Sequence, residues 1–420
     1  MVFAGGGFIR PDLFDNFSGG HDASTYYTWY INTEREKKKL YFKKVRLKNY
    51  RNFEKLSLEL DSNLNIFIGN NAQGKTNLLE GLNLIIKGSS YRTKEDKEAI
   101  KWGNEGAYLF GEINKDNENI QIALSLALEK KLEDFYKNKL IKTIKINQNI
   151  QKKAALNKEF KGVVFCPEHL QIIKGAPALR RKFLDEQISQ IYPLYYKYLS
   201  EYYRILGHRN NILKKEINQK KIKEKLLVWD PRLIERGSFL ILTRIKFIKK
   251  INRLAHKFHQ KITKEKENIE LTYQSNILKD QEENIFLINK EFKDRLEENR
   301  EKEVEQRATL FGPHRDDFSV YINGFDAASY GSQGQQRTVV LSLKLSELEL
   351  IKEKEGVYPI FFLDDVMSEL DEDRRHFLLE LITEKKVQTF ITSINLDYFN
   401  SNIKEKGRIF KIEEGKIINL

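Results

Sequence analysis

The run at 64–79 constrains the chain more than any other. It reads as a short apolar strand (Leu64, Ile66, Phe67, Ile68), then Gly-x-x-x-x-Gly-Lys-Thr over 69–76, then the opening of a helix. That order fits a loop that cradles phosphate. Gly69 and Gly74 permit backbone conformations that a side chain forbids. The amides of Asn70, Asn71, Ala72 and Gln73 can then turn inward onto phosphate oxygens. Lys75 is placed to reach the outer phosphates, and the Thr76 hydroxyl to hold Mg²⁺. The helix expected over 77–85 presents its positive end to the same anion. The plainer reading is a glycine turn of no special role. The buried-strand run directly before Gly69 favours the phosphate loop.

A second apolar run, 358–363, ends in Asp364 and Asp365. A buried strand that delivers acid at its carboxyl end, beside a phosphate loop, suits Mg²⁺ and water handling. Asp364 is expected to serve Mg²⁺, through water, and Asp365 to polarise the attacking water. The segment 368–371, Ser-Glu-Leu-Asp, fits a turn and helix cap on structural grounds alone. Upstream, Ser332, Gly334 and Gln335 stand ahead of an amphipathic helix expected over 338–353. Such residues at a helix N-terminus make a further anion site, although a plain N-cap uses the same residue types. One chain hardly needs two such sites for one triphosphate. The economical arrangement is a dimer in which this loop caps the γ-phosphate held by the partner.

Around these motifs the chain changes period. Alternating runs at 41–47, 56–60, 107–113 and 120–126 read as strands, and 142–146 and 162–165 continue this β-rich part. They predict an antiparallel layer on the nucleotide-binding core. Arg51, between the first two runs, lies either near nucleotide or DNA or in a solvated turn. From 177 to 300 the period is helical, with a long helix over 233–263 and a charged one over 277–300. Heptads do not persist, so the insert is a helical lobe rather than a coiled-coil rod. The expected organisation is α/β: ATPase head at 40–175, helical lobe at 176–305, second part of the head at 306–420.

Composition narrows the classes. Lys and Arg number 73 against 60 acids, a net charge of +13. The excess suits a nucleic-acid binder, and heavy use of Lys, Ile and Asn also follows from an A/T-rich coding sequence. Cys166 is the one cysteine, which excludes a disulfide framework or a cysteine metal site. His256 and His259 form a close pair that reads as a helix face rather than a metal site. No apolar run is long enough to span a bilayer, so the default location is cytoplasmic. Residues 1–39 are Gly-rich, lack periodicity and do not form a signal peptide. They read as a disordered tail or as untranslated leader. In the second case Glu34-Arg35-Glu36 translates a purine-rich ribosome-binding sequence and the protein begins at Leu40.

Three motifs in this order, split by a helical insert, resemble the ATPase head of ABC-type and SMC proteins. Five further blocks resemble the bacterial RecF family. They are Leu-Lys-Asn-Tyr-Arg-Asn-Phe at 47–53, Val-Phe-Cys-Pro-Glu-His-Leu at 164–170, Arg-Arg-Lys-Phe-Leu-Asp at 180–185, Gly-Pro-His-Arg-Asp-Asp at 312–317 and Gly-Ser-Gln-Gly-Gln-Gln-Arg-Thr at 331–338. The similarity runs from about Leu40 to the C-terminus. It implies an ATP-dependent protein of replication and gap repair that dimerises head to head and clamps duplex DNA near single-strand gaps. Its implied partners are RecR and RecO, with which it loads RecA. It further implies ATP and Mg²⁺ at 69–76 and Asp364, Asp365 in hydrolysis, and Ser332, Gly334 and Gln335 acting across the dimer.

Two departures from the wider ABC class predict slow turnover. The second acid is Asp365 rather than Glu, one methylene shorter. The segment 390–393 stands where a switch histidine is common, and neither Thr392 nor Ser393 is a base at neutral pH. Near the expected lobe-connecting loop stands Glu168, with Gln171 as a weaker candidate for the usual glutamine. The alternative function, the ATPase subunit of a transporter, normally carries that histidine and a shorter insert. A chromosome-organising protein needs hundreds of heptad residues, and a nuclease-coupled ATPase needs an acidic metal domain; neither is found here.

Overall fold

The computed structural model describes residues 39–93, 95–129, 139–280 and 282–419. The expected leader at 1–39 lies, but for Lys39, outside the described residues. The chain opens with the hairpin β1 (Leu40–Tyr50) and β2 (Phe53–Glu59), then β3 (Leu64–Ile68), which feeds the phosphate loop and α1 (Lys75–Lys87). Next come the hairpin β4 (Gly106–Lys115) and β5 (Glu118–Glu129), β6 (Lys139–Ile146), β7 (Asn149–Gln151), α2 (Lys153–Glu159) and β8 (Gly162–Phe165). The helical stretch holds α3 (Gln171–Lys174), α4 (Pro177–Ile191), α5 (Pro193–Lys215) and α6 (Gln219–Thr263). It continues through β9 (Ile269–Gln274), α7 (Ile285–Glu298) and α8 (Arg300–Gln306). The last part is β10 (Asp317–Ile322), β11 (Phe325–Asp326), α9 (Gln333–Glu355), β12 (Ile360–Leu363), α10 (Glu372–Lys385), β13 (Thr389–Ser393), α11 (Ser401–Lys406), β14 (Arg408–Glu413) and β15 (Lys416–Asn419).

Two six-stranded sheets enclose α1. The core sheet has the order β15-β14-β3-β13-β12-β8, parallel except for β15. The other, β2-β1-β4-β5-β6-β7, is antiparallel throughout. Leu78, Leu79, Leu82, Leu84, Ile85 and Ile86 of α1 are all fully buried. A helix apolar on every side needs cover on every side, and each such side chain contributes about 1.5–3 kcal/mol. A ladder of rings crosses the core sheet: Phe410 lies 5.2 Å from Phe67, Phe67 6.3 Å from Phe390, and Phe390 5.5 Å from Phe362. Buried Gln388 ties the sheets together, accepting from Phe42 N (2.7 Å) and donating to the carbonyls of Phe42 (2.8 Å) and Asp61 (2.7 Å).

The structure corrects several local expectations. Residues 162–165 belong to the parallel core, where β8 pairs with β12, and not to the antiparallel layer. A strand four residues long and buried throughout carries no alternation to betray its sheet. The long helix begins at Gln219, not at 233, and runs through Pro231. Proline in a helix interior costs about 3 kcal/mol, and here a buried charge cluster holds the residue before it, Asp230. Fully buried Arg209 of α5 donates to Asp230 Oδ1 (2.9 Å), next to the proline, to Glu303 Oε2 (2.5 Å) and to Thr309 Oγ1 (2.8 Å). The expected lobe also contains a strand. β9 pairs with β10 in the sheet β11-β10-β9, which crosses the boundary expected at 305/306. The charged helix starts at Ile285, after an Asn284 cap, rather than at 277. The cap before α10 is Asp371, which accepts from Arg374 N at 2.9 Å; Ser368 instead donates to Asp365 O.

Candidate active site

The phosphate loop is gripped from two sides. Gly69 has φ +154°, and a Cβ there would lie 2.3 Å from the Ile412 carbonyl of β14. Gly74 has φ +111°, and a Cβ would meet the Asn52 amide at 2.4 Å. Asn52, in the turn between β1 and β2, donates to Gln73 O (3.0 Å) and accepts from Asn77 Nδ2 (2.8 Å). On the other side Gly415 N donates to Gln73 O at 3.2 Å. No side chain caps the N-terminus of α1, which leaves its first-turn amides available to an anion. Lys75, 7% exposed, donates to the carbonyls of Gly69 (2.7 Å) and Asn70 (2.8 Å). Burial holds its pKa below the usual lysine value, against the pull of Asp365 and Asp364.

Fully buried β12 lies between β13 and β8 and ends at the two carboxylates. Asp364 Oδ1 accepts from Thr76 Oγ1 and from Thr392 Oγ1, each at 2.9 Å, and Oδ2 accepts from Tyr91 OH at 2.9 Å. Burial raises the Asp364 pKa, and these hydroxyl donors oppose that rise. Asp365 adopts φ +54° and donates its N–H to Thr392 Oγ1 at 2.8 Å. Its pKa is also raised, first by burial, with Lys75 acting against it. Thr392, expected only as the replacement of a histidine, thus links both acids from the neighbouring strand.

Other candidates fall in different places. Arg51 is not in a solvated turn. It pairs with fully buried Glu80 of α1, Nε to Oε2 at 3.0 Å and Nη2 to Oε1 at 2.7 Å, and donates to Glu98 O at 2.8 Å. Through Glu80 it is joined to Ser90 and Arg92 of the 88–93 loop. Gln171 opens the single turn of α3, is exposed, and makes no described hydrogen bond to the phosphate loop or the acids. Ser332 caps α9 in a reciprocal box: Ser332 N donates to Gln335 Oε1 (2.8 Å) and Gln335 N to Ser332 Oγ (3.2 Å). Gln335 Nε2 also donates to Glu267 at 2.8 Å. Among the described residues, Ser332, Gly334 and Gln335 make no hydrogen bond to 69–76 or the acids of their own chain. Phe325 and Tyr330, 66% and 75% exposed, stand beside this loop. A cavity of about 910 Å³ borders Tyr91, Lys87 and Lys344, but no residue of 69–76, nor Asp364 or Asp365, lines it. Sequence reasoning missed Asn52, Glu80, Tyr91 and Thr392.

A parallel core carrying a phosphate loop before α1, paired acids after β12, and Ser332 capping α9 with Gly334 and Gln335 in its first turn defines a P-loop ATP-binding head of the ABC/SMC class. A family model described as RecF/RecN/SMC N terminal domain matches residues 41–417. DNA replication and repair protein RecF of Alkaliphilus oremlandii is 42% identical over 89% of this chain and 98% of its own length. The protein of that name from Clostridium perfringens strain 13 is 40% identical over 90% of this chain and 99% of its own. Two solved structures of the recombination mediator protein RecF in the RecFOR pathway, with ATPrS and with ATP, match at TM-score 0.80. They are 34% and 33% identical and cover 92% and 93% of this chain and 100% of theirs. The Smc head domain of Pyrococcus furiosus bound to the C-terminal domain of ScpA shares the fold alone. It is 14% identical at TM-score 0.53, over 91% of this chain and 96% of that one. The chain belongs to the RecF family of DNA replication and repair proteins.

Proposed function

We propose that this chain is a slow, DNA-stimulated ATPase that closes on duplex DNA as an ATP-driven dimer in replication and recombinational gap repair. The observation that carries this is the division of the site. Residues 69–76 lie against the acids, with Thr76 bonded to Asp364, while Ser332 and Gln335 of the same chain bond to each other, and Gln335 to Glu267, instead. A second copy, placed head to head, supplies Ser332, Gly334 and Gln335. Residues 69–76 hold the phosphates, with Lys75 on the outer ones. The hard oxygens of Thr76 and Asp364 would hold Mg²⁺, which would supply neutralisation of the charge that develops on the phosphates. Asp365 orients the attacking water. RecO and RecR are the partners through which the clamped dimer promotes RecA loading, in the cytoplasm.

The DNA reading draws support from the solvent face of the antiparallel sheet. Lys48 of β1 stands directly opposite Lys55 of β2. Both are exposed, and neither has an acidic partner within 4 Å among the described residues. Like charges opposed across a sheet are destabilising, and a polyanion relieves that cost. The next row places Arg46 over the Phe110 ring, in register with Ala123 and Lys145. Lys48→Glu with Lys55→Glu should weaken duplex binding and lower the slope of log affinity on log salt by about 2. An unchanged slope moves the DNA surface elsewhere.

Light scattering with ATP, with ADP and without nucleotide, with and without a gapped duplex, tests the dimer. ATP alone among these nucleotide states should double the mass, and the duplex should reinforce it. Ser332→Arg should keep ATP binding in the single chain and abolish the doubling. A chain that stays single with ATP bound overturns the reading.

A further inference from the structure

The loop at 88–93 is tied to α1 by hydrogen bonds and an ion pair, although no recognised motif covers it. Glu80, fully buried on α1, accepts from Ser90 Oγ and from Arg51, and Arg92 lies 3.6 Å from its other oxygen. Arg92 Nη1 also donates to Asn77 Oδ1 at 2.9 Å. Ser90 Oγ accepts from the backbone of Arg92 (2.9 Å) and Thr93 (3.1 Å), closing the turn. Tyr91 stands at its centre and sends its hydroxyl to Asp364 Oδ2. A buried charge held by several donors on a surface-facing loop is expensive to build, and the residue it presents is the one that touches the acid.

A carboxylate has about four lone-pair sites. On Asp364, two on Oδ1 are taken by Thr76 and Thr392, and one on Oδ2 by Tyr91. One Oδ2 site is left. We propose that Tyr91 is a positioning residue for the metal: its hydroxyl fixes the Asp364 carboxylate so that the remaining Oδ2 lone pair serves the hydration shell of Mg²⁺. This rests on the reading of Asp364 as the Mg²⁺ residue. The two threonines both bind Oδ1, and among the described residues Tyr91 is the side chain that bonds to Oδ2. Tyr91 supplies the second point, and the Glu80 network keeps Tyr91 in place. The arrangement is the outer-shell support that metal ligands require.

The test separates metal from nucleotide. Binding of a fluorescent ATP analogue is titrated in EDTA, then as a function of added Mg²⁺, and Mn²⁺ binding to the ATP complex is followed by electron paramagnetic resonance. Tyr91→Phe keeps the ring and removes the hydroxyl. Its affinity for the analogue in EDTA and its melting temperature without nucleotide should match the wild type. The Mg²⁺ concentration at half effect, and the Mn²⁺ dissociation constant, should rise about 10- to 100-fold. Ser90→Ala, which keeps the Tyr91 hydroxyl but removes the Ser90 hydroxyl that ties the loop to Glu80, should give the same split to a smaller degree. Unchanged metal constants in Tyr91→Phe overturn the proposal. So does an equal loss with and without metal, which marks a merely structural tyrosine. Failure of the wild-type chain to bind the analogue at all is a different result, and it sinks the nucleotide site instead.

Discussion

Lys75→Ala should lower ATP affinity at least about 100-fold, and with it remove both ATP-dependent dimerisation and hydrolysis. The lysine contributes twice. In the proposed site its ammonium would meet the triphosphate, where each charge-assisted hydrogen bond is worth about 1.5–3 kcal/mol. It also donates to the carbonyls of Gly69 and Asn70, which cross-links the two ends of the turn. Alanine removes the charge and leaves those two carbonyls without their donor. Equilibrium binding of ATP reads the loss; a melting temperature close to wild type shows that the fold survives, since α1 is held by its apolar faces rather than by Lys75. The pH dependence has a definite sign. Burial lowers the lysine pKa in the free chain, and bound triphosphate raises it again. ATP binding therefore takes up a proton on the alkaline side. Its affinity declines as pH rises, beginning below the usual range of lysine. A Lys75→Ala chain that binds ATP normally removes the phosphate loop from this account.

How much of this was legible in the sequence follows from how local each feature is. The phosphate loop was readable because strand, turn and helix are contiguous, and glycine is demanded where φ is positive and a carbonyl or amide closes in. The paired acids were readable because an apolar run stops on them. The antiparallel layer was readable by alternation, with Val45, Leu47, Leu109, Leu124 and Ile144 facing in. Asn52, Tyr91 and Thr392 were not readable in role. Each acts on a residue distant in sequence, 273 positions away for Tyr91 and 28 for Thr392, and only the fold makes those approaches. Thr392 looked like an absence, a missing histidine, and is instead the hydroxyl between two acids. Glu80 gathers Arg51, Arg92 and Ser90, partners that no contiguous motif joins to it. Pro231 lies inside α6, where buried Arg209 holds the neighbouring Asp230. The alternation of Ile269, Leu271 and Tyr273 was available as a strand signal, but a strand needs a partner, and its partner β10 lies beyond two helices.

Asp365→Asn should leave ATP binding intact or stronger, slow hydrolysis by on the order of 10²–10⁴, and accumulate the ATP-bound dimer. The choice of asparagine follows from the backbone. Asp365 has φ +54°, a conformation that Asn and Asp tolerate and most side chains resist. Asparagine keeps that geometry and the N–H bond to Thr392, so what is lost is the carboxylate alone. The same strain bears on the departure from Glu: a shorter acid suits a left-handed position better, at the cost of reach toward the attacking water. Removing one negative charge beside the triphosphate takes away repulsion, which is why affinity should not fall. Phosphate release in a single turnover measures the chemical step, and light scattering follows the lifetime of the dimer after ATP is diluted. In the wild type, the raised Asp365 pKa predicts that hydrolysis declines on the acid side at a pH above the ordinary aspartate range, because the proton acceptor fills first. The Asn variant should lack that acid limb. If it instead turns over at the wild-type rate, the water is held by another group. If its dimer falls apart as quickly as the wild type's while hydrolysis is blocked, then release does not depend on cleavage and the ATP-gated clamp fails as a description of this protein.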